Sequence, residues 1–207
     1  MLYDYLMQNY TAAEPIFFGD IQFDSISKPV LSQMFKQLCD EGRLVKYDTG
    51  IYYIPKKSRL SGNIGPNADI VAYYKYIERR GQISGYYSGN TLANKIGIST
   101  QVPQKIEITS NHMAARVREI EFGSRIFIIR HPVVPVTNEN APVLQMLDLM
   151  KSLDFYIDDS YQEVSERFRD YICKYHIQKS DIDKFIRKFP LSVFKNYYEL
   201  GLEHVLA

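Results

Sequence analysis

The stretch from Lys28 to Arg59, KPVLSQMFKQLCDEGRLVKYDTGIYYIPKKSR, decides how the first part of the chain folds. In its first half the apolar residues Leu31, Met34, Phe35 and Leu38 fall at i, i+3, i+4 and i+7, which puts them on one face of a helix over Lys28–Glu41. Ser25 and Ser27 are available as caps, Pro29 suits the first turn, and Gly42 supplies the stop. RLVKY, DTG and IYYIP then read as a strand, a tight glycine-containing turn and a β-rich strand closed by Pro55.

Working outward, Leu2, Leu6 and Met7 predict a short first helix, TAAEP a loop, and IFFGDI a brief connection into a second element. Helix, helix, then hairpin within about 55 residues is the order of a winged helix-turn-helix. On that order Lys28–Glu41 is the recognition helix, and its outer face carries Gln33, Lys36 and Gln37 with Ser32 at the edge. Glutamine can bond bidentately to adenine, whereas lysine and serine suit phosphates or base edges. Lys46 in the hairpin could lie along a DNA backbone, and KKSR adds Lys56, Lys57 and Arg59 as phosphate contacts. The competing reading is plain amphipathicity, since any water-facing helix shows Gln and Lys outside.

SGNIGPNAD, Ser61 to Asp69, is dense in turn formers and reads as the linker, with Asn67 or Asp69 near a helix start. It divides the chain into a DNA-binding domain over 1–61 and a C-terminal domain over 62–207. The latter splits into an α/β part over 62–135 and a helical part over 136–207. Helices are predicted over Ile70–Arg80 and Ser88–Ile96, QKIEITSN is extended, and REIEFGSRIFIIRHP is a hairpin around Phe122, Gly123 and Ser124. VLQMLDLMKSL is apolar enough to be buried. Tyr161, Val164, Phe168, Tyr171, Ile172 and Tyr175 form a helical stripe behind a Ser160/Glu163 capping box, and Ser180/Asp183 repeats that signature before Ile182, Phe185, Ile186 and Phe189. The fold class is α+β: an N-terminal winged helix-turn-helix, a small α/β unit and a helical C-terminal region.

Composition narrows the function classes. At 207 residues, 45% hydrophobic and 24% charged, the chain can bury a core and is not wholly disordered. No apolar run is long enough for a membrane span and no leader is evident, so a cytoplasmic, membrane-free protein is expected. The net charge of +1 gives no global nucleic-acid signal, but residues 1–135 carry 16 Lys+Arg against 12 Asp+Glu, and 136–207 carry 9 against 12. Cys39 and Cys173 match no metal or disulfide spacing and read as reduced, partly buried thiols. His112, His131, His176 and His204 form no metal motif, and the glycines of GNIG and GYYSG form no phosphate loop. Asp158 and Asp159 are explained by the helix dipole behind them, and the hydroxyls around Lys95 by turn and cap chemistry. No catalytic residue, cofactor or metal is therefore expected, and the chain reads as a non-enzyme.

Three segments together, GIYYIPKKSR, LANKIGISTQVPQKIEITSN and EFGSRIFIIRH, resemble AbiEi-type antitoxins, the antitoxin and transcriptional-regulator half of type IV abortive-infection toxin-antitoxin systems. The resemblance covers roughly Ser25 to Leu153. It implies a winged helix that binds inverted repeats in the promoter of its own operon, and a C-terminal domain that counteracts a nucleotidyltransferase toxin. The family's DNA-contacting positions map onto Ser32, Gln33, Lys36, Gln37 and Lys46, with glutamines where more basic residues are usual. A homodimer on the promoter would match the repeats. The alternative is a non-catalytic interaction module that holds a partner through its helical half, without binding DNA.

Overall fold

In the computed structural model, which describes residues 1–22, 26–58, 62–157 and 160–204, the chain is mixed α+β and divides into two units, Met1–Val71 and Ala72–Ala207. The first unit opens with α1 (Leu2–Asn9), β1 (Ile16–Phe17) and a 3-10 turn over Phe18–Asp20. Helix α2 (Lys28–Asp40) follows, then β2 (Val45–Asp48) and β3 (Ile51–Tyr53). Ser27 occupies the cap position of α2 and Pro29 its first turn, while the other candidate cap, Ser25, lies outside the described residues. Gly42 ends the helix at φ +68°, and the amides of Arg43 and Leu44 both donate to the Leu38 carbonyl.

β2 and β3 form an antiparallel hairpin, with Gly50 at φ +73° in its turn. β1 joins the far side of β3, Ile16 opposite Tyr52 and Phe17 opposite Ile51, so the sheet order is β1-β3-β2. Flanking bonds from the Ala13 amide to the Ile54 carbonyl and from the Phe18 amide to the Gly50 carbonyl extend that pairing. The core of the unit gathers Leu2 and Leu6 from α1, Ile16 from β1, Leu31, Phe35 and Leu38 from α2, and Leu44 and Ile54 around the hairpin. Phe35 is fully buried, with its ring 5.3 Å from Phe18 and 4.8 Å from Tyr52.

Part of the expected linker is ordered as sheet. β4 (Lys56–Ser58) and β5 (Gly62–Ile64) pair as a second antiparallel hairpin, and Gly65 follows beneath the Tyr53 ring, which would have to move aside for a Cβ at 2.5 Å. Backbone pairing rather than apolar patterning builds this hairpin, so a stretch of turn formers conceals it. The boundary between units falls at Val71/Ala72, ten residues beyond the linker boundary expected at Ser61/Gly62, and lies within α3 (Ala68–Tyr76). Asn67 caps α3, its Oδ1 accepting from the Ile70 amide at 2.8 Å.

The second unit continues with the small hairpin of β6 (Glu78–Arg79) and β7 (Gln82–Ile83), whose turn residues Arg80 and Gly81 both have positive φ. Then come β8 (Gly85–Tyr87), α4 (Gly89–Lys95), β9 (Lys105–Ser110), β10 (Val117–Phe122) and β11 (Arg125–Arg130). The sheet order is β10-β11-β9-β8, antiparallel except for the central β11/β9 pair. α5 (Ala141–Met150), α6 (Tyr161–Tyr175), α7 (Lys179–Phe185) and α8 (Leu191–Glu199) complete it. Eight of the ten residues of α5 are buried, as its apolar density implied. One core joins Tyr86, Leu92 and Ile98 of the α/β part to Val164, Phe168, Ile182 and Val193 of the helical part, so 62–135 and 136–207 do not bury separate interiors.

Ser160 and Glu163 cap α6 reciprocally, as their spacing predicts. The second capping pair is Gln178 and Asp181, not Ser180 and Asp183: the Gln178 amide donates to Asp181 Oδ2 at 3.2 Å. The shift has a local cause. His176 ends α6 in the left-handed region (φ 52°), Ile177 is buried immediately after it, and the chain re-enters a helix at Lys179. Cys39 is half-buried, but Cys173 is exposed on α6, against the expectation of partial burial for both. Among the described residues no helix is long and apolar enough to cross a membrane.

Candidate nucleic-acid interface

α2 presents two faces with different chemistry. Leu31, Phe35 and Leu38 are buried on one, and Ser32, Gln33, Lys36 and Gln37 are exposed on the other. Those four residues, singled out from their spacing, are therefore brought together on one water-facing strip. Gln33 and Lys36 make no side-chain hydrogen bond or ion pair with a described residue, so their polar groups can reach a ligand without breaking an internal contact. Gln37 differs, because its Nε2 donates to Glu41 Oε1 at 2.9 Å one turn on. Bidentate contact from Gln37 to a base would require release of that bond.

Lys46 is exposed on β2, paired across the hairpin with Tyr52. Its ammonium is near enough to Cys39 of α2 to favour the thiolate, although burial and Asp40 together push that thiol's pKa up. Lys56 and Lys57 are exposed on β4, opposite Ile64 and Asn63, and belong to the second hairpin rather than to the tail of the first. Arg59 lies outside the described residues, as do Asp158 and Asp159.

The basic surplus lies elsewhere than the halves of the chain imply. Residues 1–71 carry seven Lys+Arg and eight Asp+Glu, net −1, whereas 72–135 carry nine and four, net +5. The surplus of the first 135 residues therefore belongs to the second unit. Any attraction of the first unit for a phosphate backbone rests on the placement of Lys36, Lys46, Lys56 and Lys57 and not on its total charge.

The hydroxyls around Lys95 serve the backbone: Thr91 Oγ1 accepts from the Glu107 amide at 2.9 Å and Ser99 Oγ from the Gln101 amide at 3.2 Å. Among the described residues no group of three His, Cys, Asp or Glu side chains could hold a metal ion. Of the site features, the α2 face was legible in the sequence, and the Gln37–Glu41 contact was readable from its four-residue spacing. The β4–β5 hairpin carried no apolar alternation to reveal it.

A family model described as a family of unknown function, DUF6088, matches residues 11–138, more than half of the chain. No curated protein matches it.

Proposed function

The chain belongs to the DUF6088 family of unknown function, and from that premise we propose that its first 71 residues are a winged helix-turn-helix that reads DNA. The observation that carries the reading is the pairing of β1, the strand before the recognition helix, with β3, the second strand of the hairpin after it. Helix, strand, short helical element, recognition helix and wing then follow in order, with the 3-10 turn at Phe18–Asp20 in place of a full helix before the turn. α2 supplies Ser32, Gln33 and Lys36 to base edges and phosphates, and Lys46 and the two lysines of β4 contact the backbone.

The likeness of three segments to AbiEi-type antitoxins extends this to the whole chain: a non-catalytic antitoxin and autoregulator of a type IV toxin-antitoxin pair, whose second unit counteracts a nucleotidyltransferase toxin. The test of the DNA reading is fluorescence anisotropy with the DNA upstream of its own gene, titrated against a shuffled duplex at several salt concentrations. Preference for the native duplex, weakening steeply with salt, supports it. Equal affinity for both duplexes removes the proposal of sequence reading. For the antitoxin role, co-expression with the product of the neighbouring reading frame should restore growth if that product is a nucleotidyltransferase.

A second reading, an interaction module without DNA binding, is favoured by the net charge of −1 in residues 1–71 and by Phe155, Leu191 and Tyr198, which are large, apolar and exposed in the helical part. Stable co-purification with a partner, together with no preference for any duplex, would support it over the first.

A further inference from the structure

The second unit contains a cleft of about 520 Å³, inside the range of roughly 300–1,000 Å³ typical of small-molecule sites. Buried Tyr86, Leu92 and Tyr171 line it, and its polar groups hold one another in place. The Tyr171 hydroxyl donates to Gln145 Oε1 at 2.6 Å, and Gln145 Nε2 donates to the Tyr87 carbonyl at 2.8 Å. That chain joins α6, α5 and β8, so this part of the cleft has its polar contacts made before any ligand arrives.

The rim is cationic and aromatic. On α6, Arg167, Asp170, Tyr171, Lys174 and Tyr175 recur at helical spacing and line the same cleft, with the rings of Tyr171 and Tyr175 4.6 Å apart. Lys95, in the last turn of α4, stands 4.4 Å from the Tyr87 ring centroid, and Lys174 stands 5.2 Å from that of Tyr175. Arg167 crosses to the end of α4, where a Cβ on Gly97 would lie 3.4 Å from its Nε. None of these three cations has a carboxylate at ion-pair distance among the described residues. Of the two carboxylates that line the cleft, Glu78 is engaged by the Tyr73 hydroxyl and Asp170 is exposed.

Three cations outside ion-pair distance of any described carboxylate, of which Arg167 has Glu163 nearby one turn earlier on α6, stand around a tyrosine-lined cleft and fit an anion attached to a flat ring. A phosphate meets the cations better than a single carboxylate does, because the arginine fork and two ammonium groups together offer more donors and charge than one carboxylate takes up. The tyrosine faces suit a heterocycle, with stacking worth about 1–3 kcal/mol per base in protein–nucleic acid contacts. Asp170 remains as an acceptor for sugar hydroxyls or a ring amine. We propose that this cleft binds a nucleoside phosphate, its phosphate held by Lys95, Arg167 and Lys174 and its base placed against Tyr87 and Tyr175.

The proposal is independent of DNA reading by the first unit, and the test separates them. The full-length chain is titrated by calorimetry with the four nucleoside 5′-monophosphates and triphosphates, with adenosine, with inorganic phosphate and with a short single-stranded oligonucleotide. A nucleoside phosphate should bind at least about tenfold more tightly than adenosine or phosphate alone. Arg167→Ala and Lys95→Ala, both surface changes, should each weaken it by about tenfold. Tyr175→Ala should weaken it too, and Lys36→Ala should leave it unchanged. Circular dichroism of every variant confirms that a lost signal is not lost folding. The proposal is overturned if no mononucleotide binds, if the oligonucleotide alone binds, or if the cleft variants bind as the unaltered chain does.

Discussion

Phe35 ties the first unit together at the level of a single side chain. It is fully buried, and its ring meets Phe18 from the 3-10 turn and Tyr52 from β3, so three elements share one contact. Phe35→Ala should cost about 3–5 kcal/mol, read as a loss of the denaturation midpoint in the first unit. Gly85 is critical for the opposite reason, since a Cβ there would stand 2.2 Å from the Tyr76 carbonyl oxygen and 2.5 Å from that of Thr109. Backbone on both sides cannot yield, so Gly85→Ala should destabilise the second unit by at least about 1–3 kcal/mol. A variant with unchanged melting would show that β8 can move away from α3. On the outer face of α2, Gln33→Ala and Lys36→Ala should weaken native-duplex binding by about 1–3 kcal/mol per lost base contact and relax specificity. Lys56→Ala and Lys57→Ala should weaken all duplexes alike and flatten the salt dependence. Identical, sequence-independent losses from all four variants would refute the assigned reading face.

At the scale of an element, α6 begins with a capping box in which the Ser160 amide and hydroxyl both bond Glu163 Oε2, at 3.0 and 2.9 Å. Ser160→Ala should destabilise the helix start by about 1 kcal/mol. Bonds from Ser160 hold the Glu163 carboxyl below its ordinary value of 4.5. Its folded pKa is therefore lower than its unfolded one, and the stability it contributes is present above the unfolded value and lost as pH falls through the folded value. Melting of the unaltered chain should accordingly drop more between neutral and acidic pH than melting of Glu163→Gln, and parallel pH curves would deny the carboxylate that role. The sequence disclosed this element well because a capping box and a helical stripe are local signals. It disclosed α7 less well, since that helix starts where the left-handed His176 and buried Ile177 return the chain to the core.

For the whole molecule, the division at Val71/Ala72 falls within α3, so the length of a fragment matters. A fragment beginning at Gly65 keeps Asn67 as the cap and all of α3, and should fold around the core that includes α5. One beginning at Ala72 loses the cap and the first turn and should melt lower, as circular dichroism would record. Equal melting of the two would place α3 outside the cooperative unit. If the first unit reads inverted repeats, two copies should occupy one operator with half-sites spaced by whole helical turns. Mass measurement of the protein with operator DNA decides this, and a 1:1 complex on a complete operator would exclude it.

Local chemistry was enough for the elements that depend on it. The α2 periodicity, the glycine turn of the first hairpin, the Ser160/Glu163 box and the apolar run of α5 each express a spacing or a conformational preference within a few residues, and each stands in the structure where its residues indicated. What depends on distant partners was decided only by tertiary packing. The pairing of β1 with β3 joins residues separated by the whole of α2, and the β4–β5 hairpin is held by backbone bonds in a stretch whose side chains signal a loop. One core links Tyr86 to Leu202 across an expected subdivision. The cleft is assembled from α3, β8, α4, α5 and α6, and although its α6 residues share a helical spacing, nothing in the sequence joins them to the tyrosines and the lysine of the other elements. Hydrophobic burial and charge proximity act between whichever surfaces the chain brings into contact, and a linear pattern records only those contacts made within one element.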